Sequence, residues 1–168
     1  MEPNTKKILF KETQRITQWY IYLPLVAIMG IILYAKTTGE DILVPFLIIL
    51  GLILLFLSYK MTTTITADAI TIKMSWFGTK KFALGHISHF LVGRYSFIGY
   101  GYRITTFGRA YNVNGNKGVL LFHRGKKVLI GTQKEQELYA ALSDLVESDL
   151  LTKLRETETV QQWLKRNR

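Results

Sequence analysis

The pattern of apolar positions near the start of the chain predicts two helices that cross a membrane. Between Arg15 and Lys60 the charged residues are confined to one short loop and are Lys36, Glu40 and Asp41. The stretches on either side of this loop, 16–35 and 42–59, contain 20 and 18 residues without a charge. A helix needs about 20 apolar residues to cross a bilayer core about 30 Å thick. We therefore expect a transmembrane hairpin with spans at about 17–35 and 42–59.

After Lys60 the apolar period changes to that of β-strands. The β-branched run 62–66 favours extended backbone, and the apolar residues of 70–74 alternate with polar ones. Further strands are predicted at 80–84, 89–95, 102–107, 109–113, 118–122 and 127–130. Asn114-Gly115-Asn116 predicts a hairpin between the strands on either side of it, and Arg124-Gly125-Lys126 predicts another turn. The pattern indicates seven or eight short antiparallel strands.

An amphipathic helix is predicted directly after the strands. Thr132 and Glu135 have the T-x-x-E spacing of a capping box, in which the hydroxyl caps the first turn of a helix. Leu138, Leu142 and Leu145 then repeat at helical spacing and indicate one buried stripe. Many short strands followed by one such helix predict an α+β domain, a small barrel or orthogonal sandwich whose open end the helix covers.

These elements divide the chain into three predicted parts. Residues 1–60 form an N-terminal flank and the membrane α-helical hairpin. Residues 61–147 form the β domain with its capping helix. Residues 148–168 form a basic helical tail, in which a second helix over 149–168 is moderately amphipathic and is either solvated or placed against the membrane by Trp163.

Three stretches of the chain carry a likeness to a known family. They are 62–74, the turn with Lys80 and Lys81, and 111–142, which contains N-x-x-G-N-x-G-V and then K-K-V-L-I-G-T-x-x-x-x-E-L. In this order they resemble the bacterial pleckstrin-homology-like (PH-like) membrane proteins. The resemblance implies a helical hairpin followed by a PH-like antiparallel barrel of about seven strands with a C-terminal helix. Eukaryotic PH domains that bind inositol phosphates carry several Lys and Arg residues in the first hairpin loop. Here that loop, 67–69, has none, so the chain departs from the family pattern and we expect no inositol-phosphate site there.

Basic residues beside the predicted spans indicate their orientation. The N-terminal flank carries Lys6, Lys7, Lys11 and Arg15, whereas the loop between the spans carries one Lys and two acids. Because short loops rich in Lys and Arg stay in the cytoplasm, we expect both termini there. The chain is then a multi-pass protein of the cytoplasmic (inner) membrane of a bacterium. Its spans contain no Asp, Glu, Lys, Arg or His, which favours an anchor over a transport path.

The net charge of +10 is concentrated after the spans. From Lys60 to Lys134 there are 12 Lys and Arg residues and one acid, Asp68. Such a surface attracts anionic lipid headgroups, an acidic protein or nucleic acid. A tethered domain meets the bilayer first, so we expect lipid or a membrane protein partner, with a homo-oligomer open and nucleic acid least favoured. The candidate membrane-surface or partner-binding residues are Lys60, Lys80, Lys81, Arg94, Arg103 and Arg109.

The residue types that usually carry catalysis are sparse. The absence of cysteine excludes disulfides, thiolate catalysis and Cys-based zinc sites. His86 and His89 share a face on a helix but point in opposite directions on a strand, and no carboxylate cluster lies near them in sequence. We expect a non-enzymatic protein without cofactor or metal. Two alternatives stay open, a subunit or assembly factor of a membrane complex and a membrane enzyme with a pocket around His86 and His89.

Overall fold

The chain folds into two compact units. The computed structural model describes residues 7–96, 101–105, 108–155 and 157–167. One unit is Arg15–Tyr59, and the other combines Met1–Gln14 with Lys60–Arg168. The segment before the helices therefore belongs with the β domain, whereas the sequence placed all of 1–60 in a flank and a hairpin.

Two apolar helices make up the unit Arg15–Tyr59. Helix α1 is Trp19–Thr37 and helix α2 is Leu43–Ser58, so the predicted spans are displaced by only one or two residues at their ends. Neither helix contains a buried residue. By length and composition α1 is suited to cross a membrane, while α2 is a shorter apolar helix of 16 residues. At the start of α2, the Leu43 amide donates to Asp41 Oδ1 at 3.1 Å.

The first sheet contains a strand from each side of the helices. Its four strands within the described residues are β1 (Ile8–Arg15), β2 (Lys60–Thr66), β3 (Ala69–Met74) and β4 (Gly78–Ala83), in that spatial order. The pairs β2–β3 and β3–β4 are antiparallel, as the alternation in sequence predicted. Strand β1 lies beside β2, and the hydroxyls of Thr13 and Thr62 are 3.0 Å apart.

Strand β1 was not predicted from the sequence because polar side chains lie on its buried face. Along this strand the buried positions alternate with exposed ones, as in any half-buried strand. Two of the buried positions, however, are the polar residues Glu12 and Gln14. The apolar residues of β1 are three consecutive ones, Ile8, Leu9 and Phe10, and the rest of the strand is polar or charged, so no alternation of apolar and polar residues marks it.

The second sheet is larger and mixed. In the described part of the chain it has six strands, in the order β10-β5-β8-β9-β7-β6. Their bounds are β5 Ile87–Arg94, β6 Gly101–Thr105, β7 Gly108–Asn112, β8 Lys117–His123, β9 Lys126–Gly131 and β10 Leu151–Lys153. The pairs β10–β5 and β7–β9 are parallel, and the others are antiparallel.

The hairpin predicted at Asn114-Gly115-Asn116 is wrong. Strand β9 lies between β7 and β8, so these two strands do not pair. The loop instead docks on β5, where the Tyr95 amide donates to Asn116 O at 2.8 Å and the Tyr95 hydroxyl donates to Gly115 O at 3.2 Å. The predicted turn between β8 and β9 is confirmed, with positive φ at both Arg124 and Gly125, as a tight hairpin requires.

The two sheets do not close into a barrel. The described strands β2 to β9 agree with the predicted seven or eight. No described strand, however, pairs from one sheet to the other. The outer edge of β5 is occupied by β10, which removes the edge that β4 would need for closure. The sheets meet instead through side chains, such as Phe82 of β4, whose ring lies 6.3 Å from Tyr111 and 5.5 Å from His123.

The C-terminal segments differ from the prediction in two ways. Helix α3 is Glu135–Ser143 and begins without a side-chain cap, so the capping box expected at Thr132 and Glu135 is wrong. The segment predicted as one helix over 149–168 contains β10 and then a shorter helix α4, Val160–Arg166. Thr159 and Gln162 form a capping box at the start of α4.

The chain after β10 packs on the second sheet. Leu154 and Val160 are buried with side chains from four strands of that sheet, and Trp163 packs against the same cluster from α4. Gly93 of β5 lies so close to Leu154 that a Cβ placed there would be 2.8 Å from the Leu154 Cβ. Each fully buried aliphatic side chain contributes about 1.5–3 kcal/mol, so this segment is part of the domain core.

Candidate functional site

The six predicted interaction residues lie at three places on the β domain. Lys60 begins β2, and Lys80 and Lys81 lie in β4 of the same sheet. The three arginines are on the second sheet. Arg94 ends β5, whereas Arg103 and Arg109 lie in β6 and β7 at the opposite side of that sheet. The structure therefore does not gather the predicted residues into one patch.

The first place is the end of the first sheet where the chain enters β2. The Ser75 amide donates to Lys60 O at 3.0 Å, and the Lys60 amide donates to Ser75 Oγ at 3.2 Å. The turn between β3 and β4 therefore lies beside Lys60. Trp76 and Phe77 of this turn are 44% and 52% exposed, and Lys80 follows in β4. We call Trp76 and Phe77 the aromatic turn.

The sequence pattern indicated a turn beside Lys80 and Lys81, but the aromatic turn was missed as a functional feature. Turns usually carry small or polar residues, because these adopt the required backbone angles and are solvated. Two large aromatic side chains directly before Gly78 depart from that rule. Exposed Trp beside basic residues is typical of a surface that meets lipid headgroups. The sequence therefore contained a signal for a lipid-facing turn at Trp76 and Phe77.

The second place is the edge formed by β6 and β7. Tyr102 and Tyr111 face each other there, with ring centroids 5.3 Å apart. Burial raises the pKa of Tyr111 and the neighbouring Tyr102 raises it further, while Arg109 opposes this shift. Burial likewise raises the pKa of Tyr95, and Arg103 opposes that shift. Both arginines therefore lie near phenols of the domain itself.

The third place is a small pocket at the end of β5, with a volume of about 110 Å³. Its charged lining residues are Arg94, Lys117, Glu135, Lys153 and Arg155, and we call it the basic pocket. Of its cations only Arg94 was predicted. The other three lie at distant points of the sequence, and the pairing of β5 with β8 and β10 brings them together.

Contacts within the basic pocket leave much of its charge unbalanced. Lys117 Nζ forms an ion pair with Glu135 Oε2 at 2.9 Å. Lys153 Nζ lies 5.1 Å from the centre of the Tyr139 ring. Arg94 and Arg155 form no ion pair with any residue that the structure describes. Among the described lining residues, one carboxylate thus faces four cations.

His86 and His89 belong to different clusters. The His86 ring lies 6.0 Å from that of His123, and Arg124 Nη2 is 3.1 Å from His86 Nδ1. Burial lowers the pKa of His123, and Arg124 and then His86 lower it further. These contacts form on one side of β8, and none of them involves His89. In the described ranges no group of three or more His, Asp or Glu side chains is placed to hold a metal ion.

His89 is held against the C-terminal helix. Its ring stacks on Trp163 of α4, with centroids 6.0 Å apart and planes 12° apart. Thr152 Oγ1 lies 3.1 Å from His89 Nε2, and burial lowers the pKa of this histidine. The geometry therefore gives no support to a single pocket around His86 and His89.

Glu12 is a buried acid that sequence reasoning did not single out. Its carboxylate accepts hydrogen bonds from the Thr132 hydroxyl and, at 2.8 Å, from the Gln133 amide. Gln14 Nε2 donates to Gly131 O at 2.8 Å. Both contacts join β1 to the junction of β9 and α3. The carboxylate is thus a structural group that holds the first strand on the domain.

Comparison with known proteins identifies no relative of this chain. No family model, no curated protein and no solved structure matches the chain. The likeness to PH-like membrane proteins accordingly stays a prediction.

Proposed function

We propose that this protein is a membrane-anchored binding module of the bacterial cytoplasmic membrane, with no catalytic role. Helices α1 and α2 anchor it, and the β domain contacts anionic lipid on the cytoplasmic side. The observation that carries the proposal is the pairing of β1 with β2. A sheet that contains strands from both sides of a hairpin can form only if both flanks are on the same side of the bilayer. A two-helix crossing satisfies this condition, whereas a single crossing does not.

The lengths and flanks of the helices support an anchor. At a rise of about 1.5 Å per residue, α1 is about 28 Å long and α2 about 24 Å. Both are near the thickness of a bilayer core, and a short span is accommodated by local thinning of the bilayer. Lys7, Lys11 and Arg15 lie before α1, whereas the last turn of α1 carries Lys36 and the loop after it carries two acids, Glu40 and Asp41. This asymmetry favours a cytoplasmic β domain.

The aromatic turn supports a lipid-facing surface. Only Tyr59 separates Lys60 from the last residue of α2, so Lys60 lies at the membrane surface if α2 crosses the bilayer. Ser75 is hydrogen-bonded to Lys60, so the aromatic turn lies beside the residue at which the β domain resumes after α2. Lys80 then adds positive charge near anionic headgroups, where each Lys contributes about 1 kcal/mol.

The residues with catalytic potential have structural partners. Glu12 accepts two hydrogen bonds inside the domain, and His89 stacks on Trp163. His86 lies against His123 and Arg124. These contacts are the ones expected of groups that hold a fold together, which supports a binding role over a reaction.

Cysteine labelling in cells tests the anchor. The chain has no cysteine, so single substitutions give no background. Glu40→Cys, between the helices, should react with a membrane-impermeant maleimide added to intact cells. Lys126→Cys, at the exposed start of β9, should react only after permeabilisation. Labelling of Lys126→Cys in intact cells would contradict the orientation, and labelling of neither variant in intact cells would contradict a hairpin that crosses the membrane.

Quenching of tryptophan fluorescence tests the lipid contact. In a Trp19→Phe background the remaining tryptophans are Trp76 in the aromatic turn and Trp163 on the second sheet. Vesicles with brominated anionic lipid should quench the emission of Trp76, so Trp76→Phe should abolish most of the quenching. Trp163→Phe is the matched control and should leave the quenching in place. Equal quenching in the two variants would refute a lipid-facing aromatic turn.

A further inference from the structure

The basic pocket has an unusual charge for its size. Four cationic side chains line a volume of about 110 Å³, and Glu135 is the one acidic lining residue described. Glu135 is already paired with Lys117. Repulsion between the like charges that line the pocket raises the free energy of the empty site, and a bound anion relieves it.

The fold assembles this charge from separate parts of the chain. Arg94 and Lys117 are register partners at the ends of β5 and β8. Lys153 is the register partner of Val92 in the parallel pair of β10 and β5, and the Leu154 amide donates to Val92 O at 2.8 Å. The backbone carrying the pocket is thus tied together by strand hydrogen bonds, which hold the cations close in spite of their repulsion.

The start of α3 contributes to the same pocket. Glu135 and Gln136, the first two residues of this nine-residue helix, line it. The first amide groups of a helix have no partner within the helix, and no side chain caps α3. The positive end of the helix dipole therefore adds to the field of the four cations.

The volume restricts what can bind. Pockets for complete cofactors or drug-sized ligands occupy about 300–1,000 Å³, well above the volume of this site. A volume of about 110 Å³ is several times the space that one bound water needs. This is room for one compact anionic group and its hydrogen bonds. The guanidinium groups of Arg94 and Arg155 present the paired N–H donors that suit phosphate oxygens.

We propose that the basic pocket binds a single phosphate group, either free phosphate or the phosphodiester of an anionic lipid headgroup. Arg94 and Arg155 are the principal ligands. Lys153 adds charge, and the Lys117–Glu135 pair positions the start of α3. The site lies wholly within the β domain, so this proposal does not depend on lipid contact by the aromatic turn.

Calorimetric titration of the full chain tests the proposal. The protein is held in maltoside micelles, which contain no phosphate, and is titrated with inorganic phosphate and separately with a short-chain phosphatidylglycerol. The double variant Arg94→Gln/Arg155→Gln should bind at least about tenfold more weakly than the native chain, since it loses two charge-assisted contacts. Lys126→Gln/Lys165→Gln removes two exposed cations outside the pocket and should bind as the native chain does.

The two titrations distinguish the possible sources of the phosphate group. Pocket-dependent binding of inorganic phosphate identifies free phosphate as the source, and pocket-dependent binding of phosphatidylglycerol identifies the headgroup. Absence of both, or equal weakening in the two double variants, overturns the proposal. Melting temperatures verify folding, and Arg94→Lys, which keeps the charge, should recover part of the affinity if the guanidinium is a ligand. Quenching at Trp76 reports the aromatic turn separately, so failure of one proposal is distinguishable from failure of the other.

Discussion

Replacing Glu12 with alanine is expected to weaken the packing of β1 against the rest of the β domain. The carboxylate is 5% exposed and accepts from the Thr132 hydroxyl and the Gln133 amide. Thr132 Oγ1 in turn accepts from the Lys134 amide at 3.0 Å, so Glu12 also supports the entry into α3. The substitution removes an acceptor from two donors and leaves a void beneath the first strand.

The cost follows from these contacts. A hydrogen bond to a charged group contributes about 1.5–3 kcal/mol, and a buried donor left without an acceptor costs about 1–3 kcal/mol. We therefore expect Glu12→Ala to lower the free energy of unfolding by about 3–5 kcal/mol. Single domains have about 5–15 kcal/mol in total, so the loss is a large fraction. Glu12→Gln keeps the volume and one acceptor oxygen, and should cost about 1–2 kcal/mol.

Urea unfolding of the full chain in maltoside micelles measures this loss. The matched control is Thr13→Ala on the exposed face of the same strand, where the hydroxyl lies 3.0 Å from that of Thr62 at the surface. An exposed substitution of this kind changes stability by about 0.5 kcal/mol or less. A double-mutant cycle of Glu12→Ala with Thr132→Ala should show a coupling above about 0.5 kcal/mol. If Glu12→Ala costs no more than Thr13→Ala, β1 is not held by this network.

Three further predictions concern packing and pH. Gly131→Ala should destabilise the domain by about 1–3 kcal/mol, because a Cβ there meets Asn112 Oδ1 and lies 3.0 Å from the Tyr95 hydroxyl. Leu154→Ala should cost about 2–5 kcal/mol, because this buried side chain packs over Gly93 in the core of the second sheet. The domain should lose stability as the pH falls below about 6.5, because burial lowers the pKa of His89 and the unfolded chain then binds more protons.

Matched variants check these three predictions by thermal unfolding. Gly85→Ala has open space around its Cβ and should leave stability nearly unchanged. Ile104→Ala, at a position 79% exposed, should cost about 0.5 kcal/mol or less. For the pH effect, His89→Gln should reduce the fall in melting temperature between pH 7.5 and 5.5. If Gly131→Ala lowers the melting temperature no more than Gly85→Ala, or Leu154→Ala no more than Ile104→Ala, the packing argument for that site is wrong. If the pH dependence of His89→Gln equals that of the native chain, the argument from His89 is wrong.

Local sequence patterns were sufficient to predict the elements whose structure depends on neighbouring residues. Helices α1 and α2 follow from unbroken apolar runs, because a helix satisfies its backbone within its own segment. Strands β2 and β3 follow from the alternation of apolar and polar residues. The β8–β9 hairpin follows from a turn sequence whose backbone angles join antiparallel strands directly.

Long-range pairing was not predictable from the same patterns. The Asn-Gly signal at 114–115 favours a hairpin locally, but Tyr95 binds that loop and β9 takes the place beside β7. The three residues of β10 form a strand only because β5 offers an edge. Thr132 is spaced as a helix cap, yet its hydroxyl donates to Glu12, 120 residues earlier in the chain. In each case a distant partner outweighs a local preference.

The sequence alone determined that this chain has an apolar helical hairpin, a basic β domain and no cysteine chemistry, because these depend on composition and on contacts between near neighbours. Only the tertiary structure decided that β1 belongs to the domain, that two sheets remain open, and which cations share a pocket. Arg94, Lys117, Lys153 and Arg155 span 62 positions and meet only through the pairing of β5 with β8 and β10. Strand pairing is set by the burial of whole faces and edges, and no short window of residues contains that information.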